Sequence, residues 1–171
     1  MLAIIDGNPG LRRAVSEMWP RAAVQRCCVH KLRNLERKSP KHALAEIRDD
    51  VHRIAYAASS DAARTAYARF ERAWAKRCPS VVASLREGGD ELLTFFAFPK
   101  AQWKTLRTTN TIERLHEEFR RWVKTQGSLP SEDAAAVLLF SLVASGQIRL
   151  RRIDGWQKIA TVLRQQTPRA A

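Results

Sequence analysis

The sequence predicts a helix-rich α/β protein, and three observations carry that prediction. A strand, a helix and a second strand follow one another at the start, over the roughly 30 residues that a βαβ unit needs. Beyond His30 the strand signals cease, and alanine-rich segments with helical spacing take over. Hydrophobic residues make up 45% of 171 positions, enough for one real core.

The elements read as follows. Leu2 to Ile5 is a short apolar run that breaks at Asp6-Gly7-Asn8-Pro9-Gly10, as a buried strand entering a turn does. Leu11, Ala14, Val15 and Met18 have helical spacing, and Pro20 stops that helix after Trp19. Ala22 to Val29 is the second strand. Lys31 to Arg37 continues as a basic helix. Residues 41–58, 60–77 and 79–98 read as three helices, separated near Ser39-Pro40, Ser59-Ser60, Cys78-Pro79 and Phe98-Pro99. After Thr108-Thr109-Asn110, Ile112, Leu115, Phe119, Trp122 and Val123 form one apolar face of a helix ending near Gly127. A last helix runs from Ser131 to Ser145, with Glu132 and Asp133 in its first turn and Gly146 as its stop. The tail from Gln147 is basic, with Trp156 as its anchor. Two parallel strands do not make a sheet that stands alone. The remaining strands are therefore expected in a longer parent chain, with strand pairing between copies as the alternative.

Thirty Lys and Arg against 17 Asp and Glu give a formal charge of +13. Such an excess points to a polyanionic partner, with nucleic acid first because phosphate neutralisation releases counterions. The basic residues are spread along the whole chain, unlike a membrane-surface anchor. No apolar run is long enough to span a bilayer, and Met1 to Ile5 is too short for a signal sequence, so a cytoplasmic location is expected. Three cysteines, two of them adjacent (Cys27, Cys28 and Cys78), are not a disulfide framework.

Several residues could carry chemistry. Asp6 ends the first strand, where open α/β sheets place their ligands, although a turn-forming Asp before Gly is the plainer reading. Glu113 lies in the first turn of its helix. With Asn110 as N-cap its spacing also suits a capping box, and Glu117 is a rival carboxylate one turn on. Cys27 and His30 have half of a zinc-site spacing, but no second pair completes it, so zinc is not expected. A buried thiol and a hydrogen-bonded histidine fit better. Lys31, Arg33, Lys100, Lys104, Arg107, Arg120, Arg121 and Lys124 are candidate phosphate contacts or ordinary solvated charges. Trp74 and Trp103 read as packing groups of the helical region before they read as base-stacking groups.

Three motifs in order change the weighing. They are Ile4-Ile5-Asp6-Gly7-Asn8-Pro9-Gly10-Leu11, then Gln25-Arg26-Cys27-Cys28-Val29-His30-Lys31-Leu32-Arg33-Asn34, then Trp103 through His116 with Thr109-Asn110 and Glu113. With Phe119 to Thr125 and Gly155-Trp156, this series resembles the Mutator-type transposases of bacterial insertion sequences, over nearly the whole chain. His116 departs from the pattern, standing where many relatives carry Asn.

The resemblance implies the C-terminal portion of a ribonuclease H-like fold interrupted by an all-helical insertion. Residues 1–39 would be the partial core with its last two strands, 40–106 the insertion, 107–146 the helix of the catalytic Glu and the C-terminal helix, and 147–171 a basic tail. Asp6 would be the second of the family's two catalytic Asp residues and Glu113 its third acid, together holding Mg²⁺ or Mn²⁺. Cys27 and His30 match the family's Cys-x-x-His motif at the end of the fifth strand. The implied partner is double-stranded DNA, as element ends and target, with a homo-oligomer in the intact enzyme and no membrane. The first Asp and the N-terminal DNA-binding region would lie upstream, and no acidic residue precedes Asp6. The chain by itself is therefore expected to be inactive in transposition and, with strand edges bare, poorly soluble. The alternatives are a non-catalytic DNA-binding or regulatory remnant of a transposase, and a small zinc-stabilised helical protein.

Overall fold

A computed structural model describes residues 1–124, 128–149 and 152–160. The expected helix end at Gly127 and most of the basic tail lie outside them. The chain divides into two compact units: residues 1–109 with the segment from Asp154, and residues 110–153. Among the described residues, no helix is long and apolar enough to cross a membrane.

The first unit begins with the expected βαβ arrangement. Strand β1 (Leu2–Ile5) pairs in parallel with β2 (Ala23–Arg26), in the register Leu2 to Ala23 through Ile5 to Arg26. Helix α1 (Pro9–Met18) connects them. Pro9 opens α1 because its missing N–H costs nothing there, and the Asn8 side chain caps it by accepting from Leu11 N at 3.1 Å. Ile5, Val15 and Val24 form a small core between helix and sheet.

The second strand is shorter than its sequence suggests. It stops at Arg26, Cys27 becomes the N-cap residue, and helix α2 (Cys28–Lys38) takes over the motif. His30 therefore stands on the first turn of a helix rather than at a strand end.

The helical region has the larger core. It comprises α3 (Leu44–Ala55), entered through a 3₁₀ turn at Lys41–Ala43, α4 (Ser60–Trp74) and α5 (Pro79–Gly88). Leu35 of α2 packs with Ile47, Phe70, Trp74, Val81 and Leu85 in one continuous cluster. Trp74 is fully buried, yet its indole N–H reaches Asp50 at 3.0 Å, so its polar atom is satisfied. Trp103, in the short helix α6 (Trp103–Leu106), lies edge-on to Phe95 and Phe96 and donates to Phe98 O at 2.7 Å. Both indoles are thus packing groups.

The third predicted helix, 79–98, ends ten residues early, at Gly88, and gives way to 3₁₀ turns at Gly89–Leu92 and Thr94–Ala97. Gly89 takes a positive φ of 47°, which terminates the helix. These turns lie along the outer edge of β2. Ala23 N and Cys27 N bond to β1, so the carbonyls of Val24 and Arg26 face the other way. The Thr94 hydroxyl donates to Val24 O at 2.7 Å, and the Gln25 side chain donates to Arg26 O at 2.6 Å. Gln25 is fully buried; its amide also donates to Leu92 O at 3.1 Å and accepts from Phe95 N at 2.7 Å. The edge expected to be bare is covered on this side.

The second unit holds α7 (Asn110–Val123) and α8 (Glu132–Ala144). Asn110 is the first residue of α7 rather than its flanking cap. The Ser131 hydroxyl accepts from Ala134 N at 3.1 Å to cap α8, and Gly146 at φ 75° follows its end.

Candidate functional site

Asp6 sits where β1 ends, and the turn it starts fixes its carboxylate. Asp6 Oδ1 accepts from Asn8 N at 2.9 Å, the local bond that Asp makes two residues on. The second carboxylate oxygen has no bonding partner among the described residues, and the side chain is exposed. Turn-forming and ligand-binding readings are therefore compatible in one residue: one oxygen orients the group and the other is presented to solvent.

Gly7 is obligatory beside it. Its φ is 103°, and a Cβ there would lie 2.0 Å from the Arg26 guanidinium. Arg26 is buried and lies over this turn, donating to both Glu87 oxygens at 2.7 and 3.2 Å. Lys31, also buried, bonds the same carboxylate and donates to Ser84 O at 2.8 Å. Hydrogen bonding from Arg26, helped by Lys31, holds the Glu87 carboxyl down to about 2 against the opposing effect of burial. Burial pushes the Lys31 ammonium below the ordinary lysine range, and Glu87 opposes that shift. Neither Arg26 nor Glu87 stands out in the sequence. A basic residue closing an apolar strand was the one available signal for Arg26, and Glu87 had none.

Cys27, His30 and Thr109 come together from two distant motifs. Thr109 N donates to Cys27 Sγ at 3.4 Å, and the Thr109 hydroxyl reaches the same sulfur at 3.4 Å. Its oxygen lies 3.3 Å from His30 Nδ1. If the hydroxyl proton goes to sulfur, His30 must carry its proton on Nδ1 and donate. Cys28 N donates to Arg107 O at 2.8 Å, completing the joint. Cys28 is half-buried, and desolvation of its thiol pushes it up to about 12, with Cys27 adding to the shift and Arg107 opposing it.

Glu113 lies in the first turn of α7, half-buried, and Glu117 one turn on is exposed. Glu113 belongs to the second unit and Asp6 to the first. Among the described residues, no group of three or more His, Cys, Asp or Glu side chains gathers as a metal site. Asp6 offers the hard oxygen that Mg²⁺ prefers, whereas Cys27 and His30 face Thr109.

The basic candidates fall into different settings. Lys31 is turned inward, as described. Arg107 lies 3.7 Å over the Tyr56 ring and donates to Ala55 O at 3.2 Å, serving the end of α3. Lys104 is 3.3 Å from Asp154, and Arg121 is 2.7 Å from Glu118. Lys100 approaches the Trp103 ring at 5.8 Å. Arg33, Arg120 and Lys124 are exposed.

Residues 1–149 match the family described as "Transposase, Mutator family". The chain is 30% identical over 154 residues to the transposase for insertion sequence element ISRM3 of Rhizobium meliloti (strain 1021), covering 89% of this chain and 38% of that protein. It is 35% identical over 141 residues to the transposase for element IS905 of Lactococcus lactis subsp. lactis (strain IL1403), covering 82% and 36%. It is 38% identical over 159 residues to the transposase for element IST2 of Acidithiobacillus ferrooxidans, covering 93% and 54%. The chain thus spans between about a third and just over half of these relatives' lengths.

Proposed function

The chain belongs to the Mutator family of transposases, and from that premise we propose that it supplies two catalytic carboxylates, Asp6 and Glu113, for insertion-sequence transposition. The observation that carries the reading is the joint between Cys27, His30 and Thr109. It ties the motif that follows β2 to the residue immediately before α7, whose first turn bears Glu113. Two motifs far apart in sequence serve one local structure, as parts of one active centre should.

In this reading the βαβ unit is the end of a ribonuclease H-like sheet, with the helical region inserted between its last strand and α7. Asp6 and Glu113 would hold Mg²⁺ or Mn²⁺. When bound, such ions would activate a water or 3′-hydroxyl for attack and offset charge on the leaving oxygen. The chain's own part is to present carboxylates in fixed orientations. The Asn8 amide orients Asp6, and Arg26 packs over the neighbouring glycine to keep the turn in place. The substrate is double-stranded DNA in the cytoplasm, and the assembled enzyme works as an oligomer. The first Asp of the family pattern is not among these residues, so the 171 residues alone are expected to transfer no strand.

The test uses a chimera in which this chain replaces the matching segment of the Acidithiobacillus relative. Cleavage and strand transfer on DNA carrying the element ends, with Mg²⁺ or Mn²⁺, is the expected result. Asp6→Asn or Glu113→Gln should each abolish it while duplex binding persists. Full activity in either variant removes that carboxylate from the reading.

A further inference from the structure

The Asp6 turn opens onto a groove lined by residues of β2, α2 and α5. It has a volume of about 580 Å³ and runs from Gly7 and Arg26 along the seam between α2 and α5. On its floor, Arg26 and Lys31 share the Glu87 carboxylate. Along its rim stand Asn34, Arg37 and Lys38 of α2. Four cationic side chains therefore face a single carboxylate, and that carboxylate is already engaged twice.

The two rim cations differ from most of this protein's charges. Arg37 and Lys38 are exposed, and their side chains make no ion pair or hydrogen bond with any described residue. Lys31, Asn34 and Arg37 or Lys38 follow at helical spacing on one side of α2. At 1.5 Å per residue, Lys31 to Lys38 spans about 10 Å. That length is enough for the row to face two successive phosphates of one DNA strand. Ligands of open α/β sheets gather outside the carboxyl ends of the strands, and the groove begins there.

We propose that this groove binds the sugar-phosphate backbone of duplex DNA, with Arg37 and Lys38 contacting phosphates, Asn34 donating its amide to a phosphate oxygen, and the floor supplying positive potential. The proposal rests on the transposase reading for the identity of the polyanion. The groove leads the backbone toward the Asp6 turn. The contact is independent of sequence, since no base edge is needed.

The test measures binding of a fluorescein-labelled random-sequence duplex to the purified chain by anisotropy, in EDTA, across a salt series. EDTA makes the result independent of the catalytic carboxylates, so failure here and failure of the transposase reading are separate outcomes. Arg37→Ala with Lys38→Ala should weaken binding and lower the salt slope by about 1.8, from two contacts at about 0.9 each. Arg72→Ala with Lys76→Ala removes the same charge from exposed positions on and just after α4 and should leave the slope nearly unchanged. Asn34→Asp, which puts a carboxylate on the rim, should weaken binding with little change in stability. Equal losses in both double variants, or no loss in the first, overturn the proposal. So does a loss confined to anionic vesicles with duplex binding intact.

Discussion

The Thr109 hydroxyl oxygen lies 3.3 Å from His30 Nδ1, although 79 positions separate the two residues. The same hydroxyl reaches Cys27, so one small side chain joins the start of α2 to the end of the helical region. Thr109→Val keeps the shape and removes the hydroxyl. Because Thr109 is buried, the loss should cost about 1–2 kcal/mol, read as a lowered urea midpoint. An unchanged midpoint would show that the joint contributes nothing to stability.

Gly7→Ala should be more damaging than its position in a turn suggests. The backbone there is left-handed, and the new methyl group would occupy the Arg26 guanidinium's place. A cost of about 1–3 kcal/mol is expected. Gly10→Ala, within α1, is the comparison: a Cβ there meets only Asn8 Oδ1 at 3.2 Å.

Acid sensitivity should trace to Glu87. Its carboxyl is depressed from 4.5 to about 2, chiefly by the hydrogen bond from Arg26. A depressed acid stabilises the fold above its unfolded value and loses that contribution as pH falls through its folded value. Stability should therefore decline between about pH 4.5 and 2. Glu87→Gln should flatten that segment of a stability–pH profile while lowering stability at neutral pH, because Arg26 and Lys31 stay buried without their counter-charge.

The Cys28 thiol should resist alkylation. With its pKa pushed to about 12 by burial, the thiolate is nearly absent at pH 8. Native protein treated with iodoacetamide should keep Cys28 unmodified, as read by mass spectrometry, and urea should expose it. Prompt labelling of the native chain would contradict this environment.

Gln25→Leu should uncouple the 3₁₀ turns from the sheet. Phe95 N, Leu92 O and Arg26 O would each lose the partner described above. A cost of at least about 2 kcal/mol is expected from leaving buried polar groups unpaired. Light scattering should rise with it, as the β2 edge is released.

Much of the fold was legible because local chemistry announces it. Leu2–Ile5 is an apolar run closed by turn residues, and Ser131 with Gly146 brackets α8 almost to the residue. The extent of β2 was not legible. Cys27, Cys28 and Val29 continue the apolar run, but the chain turns at Cys27, whose sulfur is engaged by Thr109 from outside any local window. Helix α5 was overextended because Leu92, Leu93 and Phe95 keep helical spacing, while Gly88-Gly89 breaks it. Among site residues, Asp6 and the Cys27–His30 pair could be singled out by motif. The pairing of Arg26 with Glu87 could not, since it depends on which elements meet.

The fastening of residues 94 and 95 to β2 limits how this protein can vary. A block of helices that follows a sheet can be trimmed freely only if it hangs from its two ends. Here its final turns cover the β2 edge: the Thr94 hydroxyl donates to Val24 O, where a neighbouring strand would otherwise pair, and Phe95 N donates to the Gln25 side chain. Shortening should be tolerated in the outer loops around Ser59 and punished around Thr94. Deletion of the whole block would strip the sheet as well as the ornament.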